Sequence, residues 1–319
     1  MSAHTSFRVP ASTANLGPGF DALGFGLAIY LRVEVERLGE RAHLRVKALG
    51  VDSEKIPAGE DNLMVKVIRH VGGLRRRNVS GAILTVENEI PLARGLGSSA
   101  AAIIAGVTCY EILSGERLSM DEIFECAEAF ESHPDNLAAA LLGGLVVSAR
   151  TQAGKTVVSR VVVPEGAVPI VVIPEFELST ERARGVLPGD YSREDVVFNI
   201  QRSSLTVAAI AGGEWELLAE TMRDRVHQPY RAPLIPGLED VLALQSTGLF
   251  GIALSGAGPT VLALAAPENA AQVGQDILDV FIRSNVAAET RVTTMDTQGR
   301  FSETMSLGFQ SKQPARQHQ

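Results

Sequence analysis

The sequence predicts an α+β protein of two domains. Its 319 residues favour two domains or one large one, with ample volume for real cores. Stretches of period-two and helical spacing mix along the chain without the strict strand–helix–strand repetition of a doubly wound sheet. The texture also changes around Pro164 to Pro169. The expected organisation is residues 1–165, residues 166–310 and a polar tail at 311–319.

Apolar alternation places Ile29, Leu31, Val33 and Val35 on one face of a strand, and Leu44, Val46 and Ala48 on one face of another. Met64, Val67, Ile68 and Val71 follow helical spacing up to Gly72-Gly73, and Ala82, Leu84 and Val86 alternate again. A glycine-rich turn then opens a helix of small residues within 91–113. Ser119 and Glu122 form a capping box before Ile123, Phe124, Ala127 and Phe130. A helix from Asn136 to Leu142 gives way to a strand from Leu145 to Ala149, a turn around Gly154 and a returning strand from Val157 to Val163. The second half reads as a strand from Ile170 to Ile173 and helices near 194–211, 214–225 and 237–246. A strand pair around 255–260, a helix at 271–284 and a strand near 288–294 follow.

Composition narrows the function. Hydrophobic residues make up 45% and charged ones 21%, values of a folded chain rather than a disordered one. The net charge of −8 argues against binding a phosphate backbone, so no nucleic acid is expected. The two cysteines, Cys109 and Cys126, sit among apolar residues and read as buried free thiols of a reducing cytosol. The N-terminus has no apolar secretory core, and the expected location is cytoplasmic. Residues 241–267 carry no charge. Their polar residues, glycines and Pro259 make them a helix end, strand, glycine turn and strand, with no membrane span.

Three glycine-bearing segments concentrate the chemistry. Gly95-Leu96-Gly97-Ser98-Ser99 and the alanines after it place small residues where a turn enters a helix; backbone amides converge there and the helix dipole favours an anion. The loop lacks the lysine of a P-loop and the third glycine of a dinucleotide fingerprint. Charge neutralisation of a phosphate guest falls to amides and a metal, with Arg94 the nearest basic residue. The same small residues also suit plain close packing. PASTANLGPGFDALGFG at 10–26 and SGAGPT at 255–260 are two further turns where a backbone can approach a ligand closely. Three such turns, widely spaced, suggest one composite site.

The chain resembles the homoserine kinases of the GHMP superfamily. The resemblance rests on PASTANLGPGFDALG at 10–24, PLARGLGSSAAA at 91–102 and SGAGPT at 255–260, supported by HPDNLAAALLGG at 133–144, STERARGVLP at 179–188 and HQPYRAPLIPG at 227–237. It covers nearly the whole chain except the tail. It implies the two-domain GHMP kinase fold, with an N-terminal ATP-binding domain like ribosomal protein S5 domain 2, a ferredoxin-like C-terminal domain, and ATP and substrate between them. The implied reaction is direct in-line transfer of a phosphoryl group from ATP to the side-chain hydroxyl of L-homoserine, in threonine biosynthesis, assisted by Mg2+.

By that resemblance, Pro91, Leu92, Ala93, Arg94, Gly95, Leu96, Gly97, Ser98, Ser99 and Ala100 wrap the nucleotide phosphates, and Asn62 contacts the nucleoside. Ser98 and Glu131 match the metal ligands. Ser132 replaces a common glycine beside Glu131, and Glu128 is the alternative ligand. Arg184 and Arg231 match carboxylate clamps, a task that suits planar guanidinium groups. Asn15 and Asp21 can receive an ammonium group, and His133 and Asn136 lie near the substrate hydroxyl. Asp21 and Asn136 are expected to position the substrate, Asp21 also being the candidate proton acceptor, and Thr180 to hydrogen-bond the hydroxyl or the transferred phosphate. Bland readings stand beside these: Asn15 and Asp21 as turn caps, His133 as a capping or core histidine, the arginines as surface ion-pair partners. A kinase for a mevalonate-like alcohol and a non-catalytic nucleotide-binding relative are the alternative functions. The residues fix no oligomeric state, and a homodimer is left open.

Overall fold

The computed structural model describes residues 5–39, 43–79 and 81–302. The polar tail at 311–319 lies outside the described residues. Two sheets form the frame. In the first, β1 (Thr5–Asn15) and β2 (Gly19–Arg37) make an antiparallel hairpin. The 19-residue β2 also pairs with β4 (Ala82–Asn88) along its later half and with β5 (Leu145–Arg150) near its start. β3 (Arg45–Gly50) runs parallel to β4, joined to it through α1 (Leu63–Leu74), and β6 (Thr156–Val161) closes the far edge. The alternation anticipated over 29–35 is real: Ile29, Leu31, Val33 and Val35 are all buried.

β1 was not legible as a strand. Residues 9–15 are all buried, so no polar face alternates with an apolar one. α1 also continues through Gly72-Gly73 to Leu74 instead of stopping there. α2 (Ser98–Ser114) lies against α1, and its small residues permit the approach: a Cβ on Gly106 would stand 2.7 Å from Val67 Cβ. α3 (Met120–Ala127) carries the capping box, with both Ser119–Glu122 bonds formed. α4 (Pro134–Leu142) packs on β1, β2 and β5.

The second sheet runs β10 (Ala288–Val292), β7 (Val168–Pro174), β9 (Val261–Ala265), β8 (Leu249–Leu254), antiparallel throughout. β7 is apolar without interruption because both its faces are covered. Ile170 and Val172 join a core with Val273, Ile277 and Phe281 of α10 (Ala270–Arg283), while Val171 and Ile173 face the main core. α6 (Arg193–Gly212) matches its expected helix. The helix expected over 214–225 is instead a 3-10 turn, Trp215–Leu217, and a short α7 (Leu218–Thr221). α5 (Thr180–Gly185) and α8 (Gln228–Arg231) are too short to show periodicity and were not anticipated. α9 (Leu238–Leu242) ends just inside the uncharged stretch, which goes on to form the expected strand, turn and strand. No helix among the described residues is long and apolar enough to cross a membrane.

After β10 the chain returns to the first sheet. Met295 and Phe301 bridge to Leu27 and Arg8, and the buried Arg300 pairs with the buried Glu111 of α2.

Candidate active site

The three glycine turns meet. The first links β1 to β2 and holds three consecutive residues at positive φ, Asn15 (75°), Leu16 (44°) and Gly17 (78°). Asn15 pins it: its amide oxygen accepts from the Asp21 N–H at 3.1 Å, and its amide nitrogen donates to the Gly256 carbonyl at 3.0 Å. Gly256 belongs to the third turn, between β8 and β9. The Ser255 hydroxyl of that turn donates to the Gly95 carbonyl at 2.6 Å and pairs with the Thr13 hydroxyl at 2.8 Å.

The second turn, ahead of α2, is tied down at every step. The Leu92 N–H donates to Asp52 Oδ2, the Ala93 carbonyl accepts from Leu178, the Arg94 carbonyl from Thr260 and the Leu96 carbonyl from Ser12. Gly97 occupies the N-cap of α2 at φ 68° and offers no side-chain cap. The first-turn amides of α2 therefore lack a side-chain acceptor and point an electropositive helix end outward. A Cβ on Gly97 would stand 2.0 Å from Ser12 Oγ and 3.1 Å from Asn136 Oδ1, so only glycine lets the turn pack this closely against β1 and α4 at the head of α2. This cradle fits a polyphosphate.

Beside it lies a cleft of about 60 Å³, lined by Asn15, Asp21, Glu131, His133, Asn136, Thr180, Arg184 and Arg231 together with Ala14, Asp135, Gly256 and Ala257. Every residue assigned to the substrate from the sequence thus faces one space. Asp21, at φ 56°, receives Arg184 bidentately, at 2.6 and 3.2 Å, across 163 positions of sequence. Each of the two side chains is about 30% exposed. Arg231 differs. It is 1% exposed, and its partners are neutral: the Ala183 carbonyl at 3.1 Å, the Gly256 carbonyl at 2.9 Å and His227 Nδ1 at 3.2 Å. No carboxylate among the described residues stands within ion-pair distance of it. Burial, and then the charge of Arg184, pull its pKa down to about 10, so it stays cationic at neutral pH. Both guanidiniums lie over the ring of Phe20, at 5.4 and 5.3 Å.

Around the opposite wall, His133 stands at the N-cap position of α4 without a side-chain cap, and its Nδ1 lies 2.7 Å from Glu131 Oε1. Burial opposes ionisation of Glu131, yet the His133 ring and backbone N–H outweigh it and hold the carboxyl below its ordinary range. Asn136 Oδ1 accepts from the Ser12 hydroxyl at 2.8 Å. Asp135 is 2% exposed. Burial drives its pKa up to about 7 against the Asn136 N–H bond, and the charges of Asp21 and Glu131 add to the rise.

Two assignments stand apart from the cleft. Asn62 caps α1, accepting from the Met64 N–H and donating to the Pro57 carbonyl, so both ends of its amide hold the 57–63 turn. Glu128 pairs with Arg150 and accepts from Thr156, facing the β5–β6 hairpin, whereas Glu131 faces the cleft. Sequence reasoning missed Ser12, Phe20, Asp135 and His227. Asp135 sat in a quoted motif, but an aspartate in a first helical turn ordinarily signals capping; only the fold shows it buried.

Known proteins resemble this chain along most of its length. The profile of GHMP kinases N terminal domain matches residues 62–144, and that of GHMP kinases C terminal matches residues 206–282. A homoserine kinase of Solibacter usitatus is 45% identical over 265 residues, spanning 82% of this chain and 86% of that protein. A homoserine kinase of a Synechococcus strain is 40% identical over 292 residues, spanning 91% and 95%. The crystal structure of a homoserine kinase from Cytophaga hutchinsonii superimposes with a TM-score of 0.83 at 28% identity, covering 95% of this chain and 98% of that one. The crystal structure of an L. major mevalonate kinase shares the fold at a TM-score of 0.71 and 16% identity, over 93% of this chain and 97% of that one.

Proposed function

Since the chain belongs to the homoserine kinase family of the GHMP kinases, we propose that its cleft binds L-homoserine as a zwitterion, beside ATP held on the 91–100 loop. The reaction is ATP-dependent phosphorylation of the homoserine side-chain hydroxyl. The observation that carries the site assignment is Arg231, a buried cation with no carboxylate of its own among the described residues. Such a charge is ordinarily paired, and a substrate carboxylate supplies the partner.

The Asp21–Arg184 pair suits the same task. A zwitterion entering between them gives Arg184 a carboxylate and Asp21 an ammonium group, so one ion pair is exchanged for two and neither charge is left alone. The hydroxyl end then reaches toward Asn136, His133 and Thr180. Asn136, held by Ser12, sits between the substrate and Gly97, which aligns the hydroxyl with the terminal phosphate. A loose phosphoryl-transfer transition state needs alignment and charge stabilisation more than a strong base, and the α2 amides supply the charge stabilisation. Asp21 is the candidate acceptor of the hydroxyl proton.

The described residues contain no group of three or more His, Cys, Asp or Glu side chains able to hold a metal. Mg2+ fits even so, because it is commonly held by one or two protein oxygens and the substrate phosphates. Ser98 and Glu131 are the ligands we assign, and the ion when bound neutralises phosphate charge. The cradle and β1 to β6 form an ATP-side unit within residues 1–165, and 166–310 complete the cleft with Thr180, Arg184 and Arg231. Two buried free thiols fit a reducing, cytoplasmic setting.

Purified protein with MgATP and a panel of hydroxy amino acids plus mevalonate tests this by ADP release. Turnover on homoserine is expected; turnover on mevalonate alone, or on nothing, overturns it.

A further inference from the structure

His227, at the N-cap of α8, is 0% exposed and lies outside the cleft wall. Its ring stacks on Phe20 with centroids 5.1 Å apart. Nε2 is 2.7 Å from the Gly17 carbonyl oxygen, and Nδ1 is 3.2 Å from Nη1 of Arg231. A carbonyl can only accept, so Nε2 carries the hydrogen; the neutral ring then presents a lone pair at Nδ1, into which Arg231 donates. Arg231 also donates to the Ala183 and Gly256 carbonyls, which leaves its Nη2 without a partner among the described residues.

We propose that His227 is a positioning residue for the kinase reaction: as the Nε2–H tautomer it aims the Arg231 guanidinium at the substrate carboxylate and ties that aim to the 15–18 turn. The inference rests on the reading of Arg231 as a carboxylate clamp. A second proton on the ring would set an N–H against the guanidinium and remove the bond. Burial opposes that proton most strongly; Asp224 before α8, 3.6 Å from Nε2, and Asp21 on β2 favour it, while Arg231 opposes it, and the balance holds the histidine below its ordinary pKa. Arg184 on α5 faces the same arginine and adds positive charge there. Asp224 is itself engaged by Asn199 and by the backbone N–H groups of Val226, His227 and Gln228, which fix the start of α8.

The test compares His227→Phe, His227→Asn and Arg231→Ala. Phenylalanine keeps the ring on Phe20 but removes both nitrogens; asparagine keeps an acceptor near the place of Nδ1. His227→Phe should raise KM for L-homoserine about ten- to a hundredfold, the range for losing one hydrogen bond to a charged group, and move KM for ATP by less than about twofold. His227→Asn should recover most of the loss. Equal damage from both variants, or a parallel rise in KM for ATP, overturns the inference. A normal homoserine KM in His227→Phe beside a raised one in Arg231→Ala overturns it while leaving the clamp intact; an unchanged Arg231→Ala removes the clamp itself. Should the phenylalanine variant fail to fold, nitrogen-15 NMR of the wild-type ring decides: the Nε2–H tautomer at neutral pH is expected, and an Nδ1–H tautomer or imidazolium overturns the proposal.

Discussion

Replacing Gly97 by alanine should weaken the grip on ATP by an amount the geometry sets. An L residue at φ 68° carries about 1–2 kcal/mol of strain. The new Cβ would stand 2.0 Å from Ser12 Oγ, so that hydroxyl must turn away and give up its 2.8 Å bond to Asn136, about 1 kcal/mol more. The Ser12 backbone cannot retreat, because its N–H is held by the Leu96 carbonyl at 3.1 Å. The sum of about 2–3 kcal/mol corresponds to about 30- to 150-fold in kcat/KM for ATP if the loop relaxes out of its phosphate-holding shape. If the loop instead holds, the same energy appears as a lower Tm. ATP-dependent ADP release at saturating homoserine, with melting curves alongside, measures both. A variant with a wild-type KM for ATP and a wild-type Tm would refute the reasoning, as would a loss confined to homoserine.

Two further outcomes follow from buried charge. Asp135, whose pKa rises from 3.8 to about 7 on folding, is neutral in both states at low pH and must be buried ionised at high pH. Its favourable contribution is therefore complete below about pH 4 and lost as the pH climbs through 7. Asp135→Asn should stabilise the protein by up to about 4 kcal/mol near pH 8 and by almost nothing near pH 4, read as Tm against pH; a pH-independent difference would contradict this. Glu111→Gln breaks the buried Glu111–Arg300 pair and should cost up to about 3–5 kcal/mol of stability with KM values unmoved. Chemical denaturation checks it, and a loss below about 1 kcal/mol would mean that solvent reaches the pair.

The turn to which we assign ATP was legible because its signal is local. Gly95, Gly97 and the small residues of α2 stand together in sequence, and helix-end physics assigns them a guest. The residues we assign to the substrate were picked out only through resemblance to a family: Asp21 and Arg184 meet across 163 positions, and no periodicity connects them. What stayed hidden has two causes. Elements of four or six residues, such as α8 and α5, are shorter than the window in which helical spacing shows, although they carry Arg231 and Arg184. Groups whose role is to hold another group, Ser12 on Asn136 and His227 on Arg231, bear no mark of it in the chain.

The decisive measurement is kcat/KM for L-homoserine against its two truncated analogues, 3-aminopropan-1-ol without the carboxylate and 4-hydroxybutanoate without the ammonium group. With Arg231 buried and Arg184 drawn from Asp21, each analogue strands a charge, and losses on the order of a thousandfold or more are expected for both. Analogues turned over within about tenfold of homoserine would mean that the paired charges of this cleft do not read the substrate.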